Sequence, residues 1–211
     1  MKYLINLIFL VLLPLSLFAE DGSRLWLRFS EAGQGKANVI SKYNSSSIQI
    51  ARQELTNHWL GTTIELQLDK KLNYLKDGYQ IKSDKNKIII SASQDIGLLY
   101  GAYHLLRLQE TAANLSNINI EEKPRYDIRI LNHWDNLDRT VERGYAGYSL
   151  WKWDELPNTL SPRYIEYARA NASIGINGTV LNNVNATPDI LTDEYLVKVK
   201  ALADVFRPFG L

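Results

Sequence analysis

The chain has 211 residues, with 24 lysines and arginines against 23 aspartates and glutamates, and no cysteine. With 45% hydrophobic and 22% charged residues it is too apolar for a disordered chain and too mixed for a polytopic membrane protein. The balanced charge argues against a nucleic-acid partner, which needs a basic excess to meet phosphates, and the lack of cysteine excludes disulfide and thiolate-metal scaffolds.

Lys2, the almost wholly apolar run from Leu4 to Phe18, and Ala19 before Glu20 and Asp21 read as a cleavable export signal over residues 1–19. About 15 apolar residues fall short of the roughly 20 that span a bilayer as a helix, so no membrane association is expected after cleavage. Cleavage there leaves 192 residues with 23 bases facing 23 acids and places the mature chain in a bacterial periplasm or outside the cell.

Leu25 to Phe29 is a strand candidate, followed by a loop around Gly33 to Lys36. Ser45 to Ser47 can cap a helix whose apolar positions Ile48, Ala51, Leu55 and Trp59 follow steps of three and four, ending at Gly61. Thr63 to Leu68 alternates as a half-buried strand does, with Ile64, Leu66 and Leu68 on one face. Tyr79 to Ser83, the turn Asp84-Lys85-Asn86-Lys87 and Ile88 to Ile90 predict a hairpin, and Gln94 to Glu110 a helix with Ile96, Leu99, Tyr103, Leu106 and Glu110 along one side. The charged stretch Asn117 to Pro124 marks a boundary, so residues 20–123 read as a small α/β domain and residues 124–211 as a second region.

Beyond the boundary Tyr126 to Leu131 is a strand, and a long aromatic loop leads from Asn132 to Pro162. A helix runs from Pro162 to Ser173, with Ser161 as cap and a stripe through Ile165, Ala168 and Ala172. Gly178 to Leu181 is a second strand, and after a short loop Thr192 to Phe206 is a helix ended by Pro208 and Gly210. This β-loop-α-β-loop-α order implies a parallel sheet, which must be covered on both faces or closed into a barrel. Two strands achieve neither, so the fold class is α/β, a small α/β domain followed by the first two βα units of an incomplete (β/α)8 TIM barrel. The chain is expected to be part of something larger.

In such barrels the loops after the strands build the site. Here they carry Trp134, Asp135, Arg143, Trp151 and Trp153, then Asn182, Asn183 and Asn185. Tryptophan faces beside Asn and Asp groups suit a polyol, since rings stack on the indoles while amides and carboxylates meet hydroxyls. The competing role for each tryptophan is to roof the barrel core. Arg139 and Arg143 can fork onto a carboxylate or pair with Asp138 and Glu142. His133 lacks partners at ligand spacing, so no metal and no cofactor is expected. The loop acids Asp135, Asp138, Glu142, Asp154, Glu155 and Asp189 show no spacing that singles out a catalytic pair.

The segments ILNHWDNLDRTVERGYAGYSLWKWDELP and YIEYARANASIGINGTVLNNVNA resemble the α-glucuronidases of glycoside hydrolase family 67. The earlier YQI…IIISASQDIGLLYGAYHLLRLQ is similar to the hexosaminidase-like α/β domain that precedes the barrel in that family. The resemblance implies inverting hydrolysis that releases glucuronic acid or its 4-O-methyl ether from xylooligosaccharides, and dimerisation through a helical C-terminal domain. It also implies that the catalytic carboxylates lie downstream of Leu211. Trp134, Asp135, Asn182, Asn183, Asn185 and one of Trp151 and Trp153 would then form the first wall of the pocket, with Arg143 in support. A non-catalytic carbohydrate-binding protein and a hexosaminidase-like glycosidase are the alternatives.

Overall fold

The computed structural model describes residues 22, 24–29, 33–35, 37–133, 149–182 and 188–211. The signal reading over residues 1–19 and the positions Trp134, Asp135, Arg143, Asn183 and Asn185 lie outside the described residues.

The first region is a five-stranded sheet in the order β1-β2-β4-β3-β5, with β1 at Val39–Ser41, β2 at Thr63–Leu68, β3 at Tyr79–Asp84, β4 at Lys87–Ala92 and β5 at Asn119–Glu122. The first three strands in that order are parallel, and β3 runs antiparallel to both β4 and β5. Register lines up apolar side chains: Leu66 faces Ile90, Ile90 faces Ile81 and Ile81 faces Ile120. Strand alternation sends these residues, with Ile64 and Ile88, to one buried face and leaves Glu65, Gln67, Gln80 and Lys82 on the other.

Helices α1 (Ser46–His58) and α2 (Asp95–Glu110) pack against each other and against the sheet. Ser45 caps α1 by accepting from the Ile48 amide, and the predicted positions Ile48, Ala51, Leu55 and Trp59 are all buried. α2 is buried on most sides, Leu98, Tyr100, Ala102 and Leu105 as well as Leu99, Tyr103 and Leu106 of the predicted stripe, because it lies against both the sheet and α1, while Ile96 is partly buried and Glu110, expected on the same side, is exposed. Gly101 permits this: a Cβ there would stand 2.6 Å from Cγ2 of Ile90.

The second region contains β6 (Ile130–Asn132), α3 (Pro162–Ser173), β7 (Gly178–Val180) and α4 (Asp193–Phe206). β6 and β7 are parallel, with Ile130 opposite Gly178 and Asn132 opposite Val180. α3 begins where the sequence predicts, with the Ser161 hydroxyl accepting from the Arg163 amide. Its buried stripe is Tyr164, Ala168 and Ala172; Ile165, expected inside, faces solvent because Tyr164 one residue earlier takes the inward position. After α4 the turn Arg207–Phe209 returns to the first region, where the Ser47 hydroxyl donates to the Pro208 carbonyl at 2.7 Å.

Two strand expectations change. Leu25 to Phe29 forms no ladder: Leu25 N donates to Gly22 O and Leu27 N to Arg24 O, so local turns satisfy this backbone while Leu27 and Phe29 reach the core. Tyr126 to Leu131 pairs only from Ile130 onward, because Arg129 holds the preceding backbone by donating to the Tyr126 and Gly175 carbonyls at 2.7 and 2.5 Å. Strands β1 and β5 carry one inward apolar residue each, Val39 and Ile120, too little alternation to read from sequence.

Candidate functional site

The C-terminal ends of β6 and β7 lie side by side, followed by His133 and by Leu181 and Asn182. His133 N donates to the Val180 carbonyl at 3.1 Å, extending the ladder by one residue. Its Nε2 lies 2.6 Å from the Tyr167 hydroxyl, which donates to Thr179 Oγ1 at 2.8 Å. Burial pushes the Tyr167 phenol upward in pKa and keeps it protonated. The chain of three side chains ties β6, α3 and β7 together directly beneath the strand ends. His133 sits at its head as an anchored ring. Sequence reading considers His133 as a metal ligand; the signal for its partner is the Tyr164 and Tyr167 pair on the inward side of α3.

Of the loop tryptophans, Trp151 and Trp153 lie among the described residues, and both pack inward, the role the sequence reading left open beside sugar stacking. Trp151 is 1% exposed, its ring is met by His133, Tyr164, Tyr167 and Phe206, and its indole N–H donates to the Leu181 carbonyl at 2.8 Å. Trp153 is 4% exposed and tilts against Tyr195 with ring centroids 5.8 Å apart. Neither offers an open face beside the strand ends, because both indoles fill the space between that loop and α3 or α4. Asn182 is where the sequence reading puts it, half-buried just beyond β7.

A cavity of about 500 Å³ lies at the N-terminal ends of α3 and α4, lined by Lys152, Trp153, Glu155, Arg163, Tyr195 and Lys198 among others. Lys152 donates to Glu155 at 2.9 Å, which raises the lysine's pKa, and Lys198 lies 3.1 Å from Glu194 with its ammonium 4.5 Å above the Tyr195 ring. A smaller cavity of about 180 Å³ is lined by Tyr79 and Glu122 of the sheet, Arg107 of α2, Arg129, and Ser173 to Gly175 at the end of α3. There Arg129 pairs with Asp77, Arg107 donates to the Ser173 carbonyl, and burial pushes the Tyr100 phenol up to about 12. Among the described residues no group of three or more His, Cys, Asp or Glu side chains is placed to hold a metal ion.

Residues 108–211 match the glycosyl hydrolase family 67 middle domain. A probable α-glucuronidase A of Aspergillus clavatus is 38% identical over 137 residues, which are 64% of this chain and 16% of the relative. The α-glucuronidase A of Emericella nidulans is 30% identical over 249 aligned positions, covering 97% of this chain and 29% of the relative. The chain thus spans less than a third of either relative. Among solved structures, a GH138 enzyme targeting pectin rhamnogalacturonan II is similar over 83% of this chain and 23% of that one, with a TM-score of 0.56 at 15% identity. CpGH84B is similar over 86% and 33%, with a TM-score of 0.50 at 13% identity. At such identities these two likenesses speak for the fold alone.

Proposed function

The chain belongs to glycosyl hydrolase family 67 through its residues 108–211, and from that premise we propose that it forms part of an α-glucuronidase. In this reading the enzyme releases glucuronic acid, or its 4-O-methyl ether, from xylooligosaccharides. The observation that carries it is the placement of β6 and β7: the matched segment contains a parallel pair whose C-terminal ends open onto the two loops that carry the sequence resemblance.

The pair serves as the first two strands of a (β/α)8 barrel, and the five-stranded sheet as the small domain before it. Ile130, Leu131 and Val180 support this, since each is more than a third exposed on strands of a parallel type that is normally covered on both faces. Further barrel strands would cover them. Hydrolysis with inversion needs one carboxyl group to protonate the leaving oxygen and a second to activate water from the opposite side of the ring. Those carboxylates are assigned to strands after residue 211. Substrate contact is assigned by the sequence resemblance to Trp134, Asp135, Asn182, Asn183 and Asn185, with Arg143 in support. His133, Tyr167 and Trp151 tie down the ends of β6 and β7. The apolar leader over residues 1–19 supports export.

The direct assay follows glucuronate release from aldouronic acids by the 211-residue chain and by a polypeptide extended to the length of its relatives. Release by the extended polypeptide alone is expected. Turnover by the short chain, or none by the extended one, would overturn the reading.

A further inference from the structure

The cavity of about 180 Å³ lies at the foot of the parallel pair, away from the strand ends that open onto the loops. Arg129 stands just before β6 and Gly175 a few residues before β7, while Tyr79 and Arg107 bring in the sheet and α2. In a barrel this N-terminal face serves stability rather than chemistry. We propose that the cavity is an anion-binding site, in which one small monovalent anion accepts hydrogen bonds from Arg107 and Tyr100 and clamps the two regions together. The inference goes beyond the α-glucuronidase reading and stands on the charges and donors of the lining.

Charge balance gives the sign of the ligand. Glu122 and Lys123 are exposed at the rim and cancel. Farther in, Asp77 is matched by Arg129, which spends other donors on the Gly175 and Tyr126 carbonyls. Arg107 is left over. It is half-buried and forms no ion pair among the described residues; its hydrogen bond goes to a neutral acceptor, the Ser173 carbonyl, and a guanidinium carries more donors than one carbonyl accepts. Burial pulls Arg107 below its ordinary pKa although Tyr79 and Glu122 pull the other way, the mark of a cation whose lost hydration no carboxylate at contact distance replaces.

Tyr100 supplies the second donor. Its side chain is 5% exposed and its hydroxyl is buried without a hydrogen-bond partner, a costly state for a polar group. The charges of Asp77 and Arg129 both act on that hydroxyl, which places it beside their pair in the cavity wall. Those two groups are bonded to each other, and the phenolic proton is left for an incoming acceptor. An unmatched cation and an unused neutral donor in one wall select a ligand that only accepts and carries a single negative charge. The volume lies below the roughly 300 Å³ at which sites for larger organic ligands begin, so the ligand is of the size of chloride or formate.

Thermal unfolding of the full chain, followed by circular dichroism at neutral pH, tests the site. Sodium gluconate is replaced stepwise by chloride, by formate or by inorganic phosphate at constant ionic strength, and the first two arms tell a spherical ligand from a planar one. The expected result is a saturable rise in melting temperature with chloride, formate or both, at a Kd on the order of 1 mM and reaching about 5–10 °C at a 100-fold excess over that Kd. Tyr100→Phe keeps the ring and its packing, so it should unfold in gluconate no earlier than the parent chain yet need about 10-fold more anion for the same rise. Arg107→Gln should lose the response. The proposal is overturned by the absence of a rise with both small anions, by a response that either variant leaves unchanged, or by stabilisation with phosphate alone; should Arg107→Gln fail to fold, Tyr100→Phe decides. Glucuronate release by the extended polypeptide is read separately, so this site can fail while the functional assignment stands.

Discussion

The Tyr79 hydroxyl and Nδ1 of His104 share a hydrogen bond of 2.8 Å inside the sheet-helix layer. Burial holds the His104 imidazole below its ordinary pKa, and the nearby Arg107 charge adds to this while Glu122 opposes it. Because the folded state takes up this proton less readily than the unfolded chain, stability falls as pH drops through the unfolded histidine value, about 6.5, toward the lower folded one. Urea unfolding at pH above and below that value should show the loss, and His104→Gln, which retains an acceptor for Tyr79, should flatten it. An identical pH slope in the variant would show that His104 is not its source. The lowered carboxylates Glu65, Glu121, Asp127 and Asp204 act in a separate window, stabilising above the carboxylate range and ceasing to as pH falls through their folded values. At Trp151 the effect is packing: Trp151→Ala should cost about 3–5 kcal/mol in chemical denaturation, and Trp151→Phe clearly less. A loss under about 1 kcal/mol for the alanine variant would contradict its place in the core.

Helices α1 and α3 are joined by a buried fork. Arg169 donates to both oxygens of Glu54 at 2.5 and 2.7 Å, the Tyr103 hydroxyl donates to the same carboxylate at 3.3 Å, and Phe29 lies beneath the guanidinium. Removing one member strands the other in a dry setting, so Arg169→Leu should lower stability by about 3–5 kcal/mol. Adding Glu54→Gln should recover part of that loss, and a thermodynamic cycle that is strictly additive would refute the coupling. At the end of α4, Gly210 takes a φ of +87° and a Cβ there would stand 2.5 Å from the Ile96 side chain. Gly210→Ala should therefore lower the melting temperature by several degrees, about 1–2 kcal/mol of strain and crowding. Caps of this kind were readable beforehand for α1 and α3, since Ser45 and Ser161 precede their helices by one residue and accept from the first turn.

Across the molecule the two regions share one core. Buried side chains run from Phe29 and Leu55 through Leu106 and Ala168 to Trp151 and Phe206. Polar bonds cross the same border, from Arg107 to the Ser173 carbonyl, from Arg129 to Asp77 and from Ser47 to the Pro208 carbonyl. Calorimetry should record a single cooperative transition for the sheet and the two βα units. Two resolved transitions, one surviving in a chain cut after Lys123, would mean that the border is weaker than its contacts indicate.

The sequence alone determined where α1, α2, α3 and α4 begin and end, the strand β2, the hairpin β3–β4 and the family of the second region. Those features rest on capping, periodicity and turn chemistry within a few residues of each other, and on a long irregular motif. Tertiary structure alone decided that Trp151 and Trp153 pack inward, that Leu25 to Phe29 turns while β1 and β5 become strands, and that Glu54 meets Arg169. The reason is distance along the chain: Glu54 and Arg169 lie 115 residues apart, and whether an indole is a platform or a filler depends on which remote helix arrives to cover it.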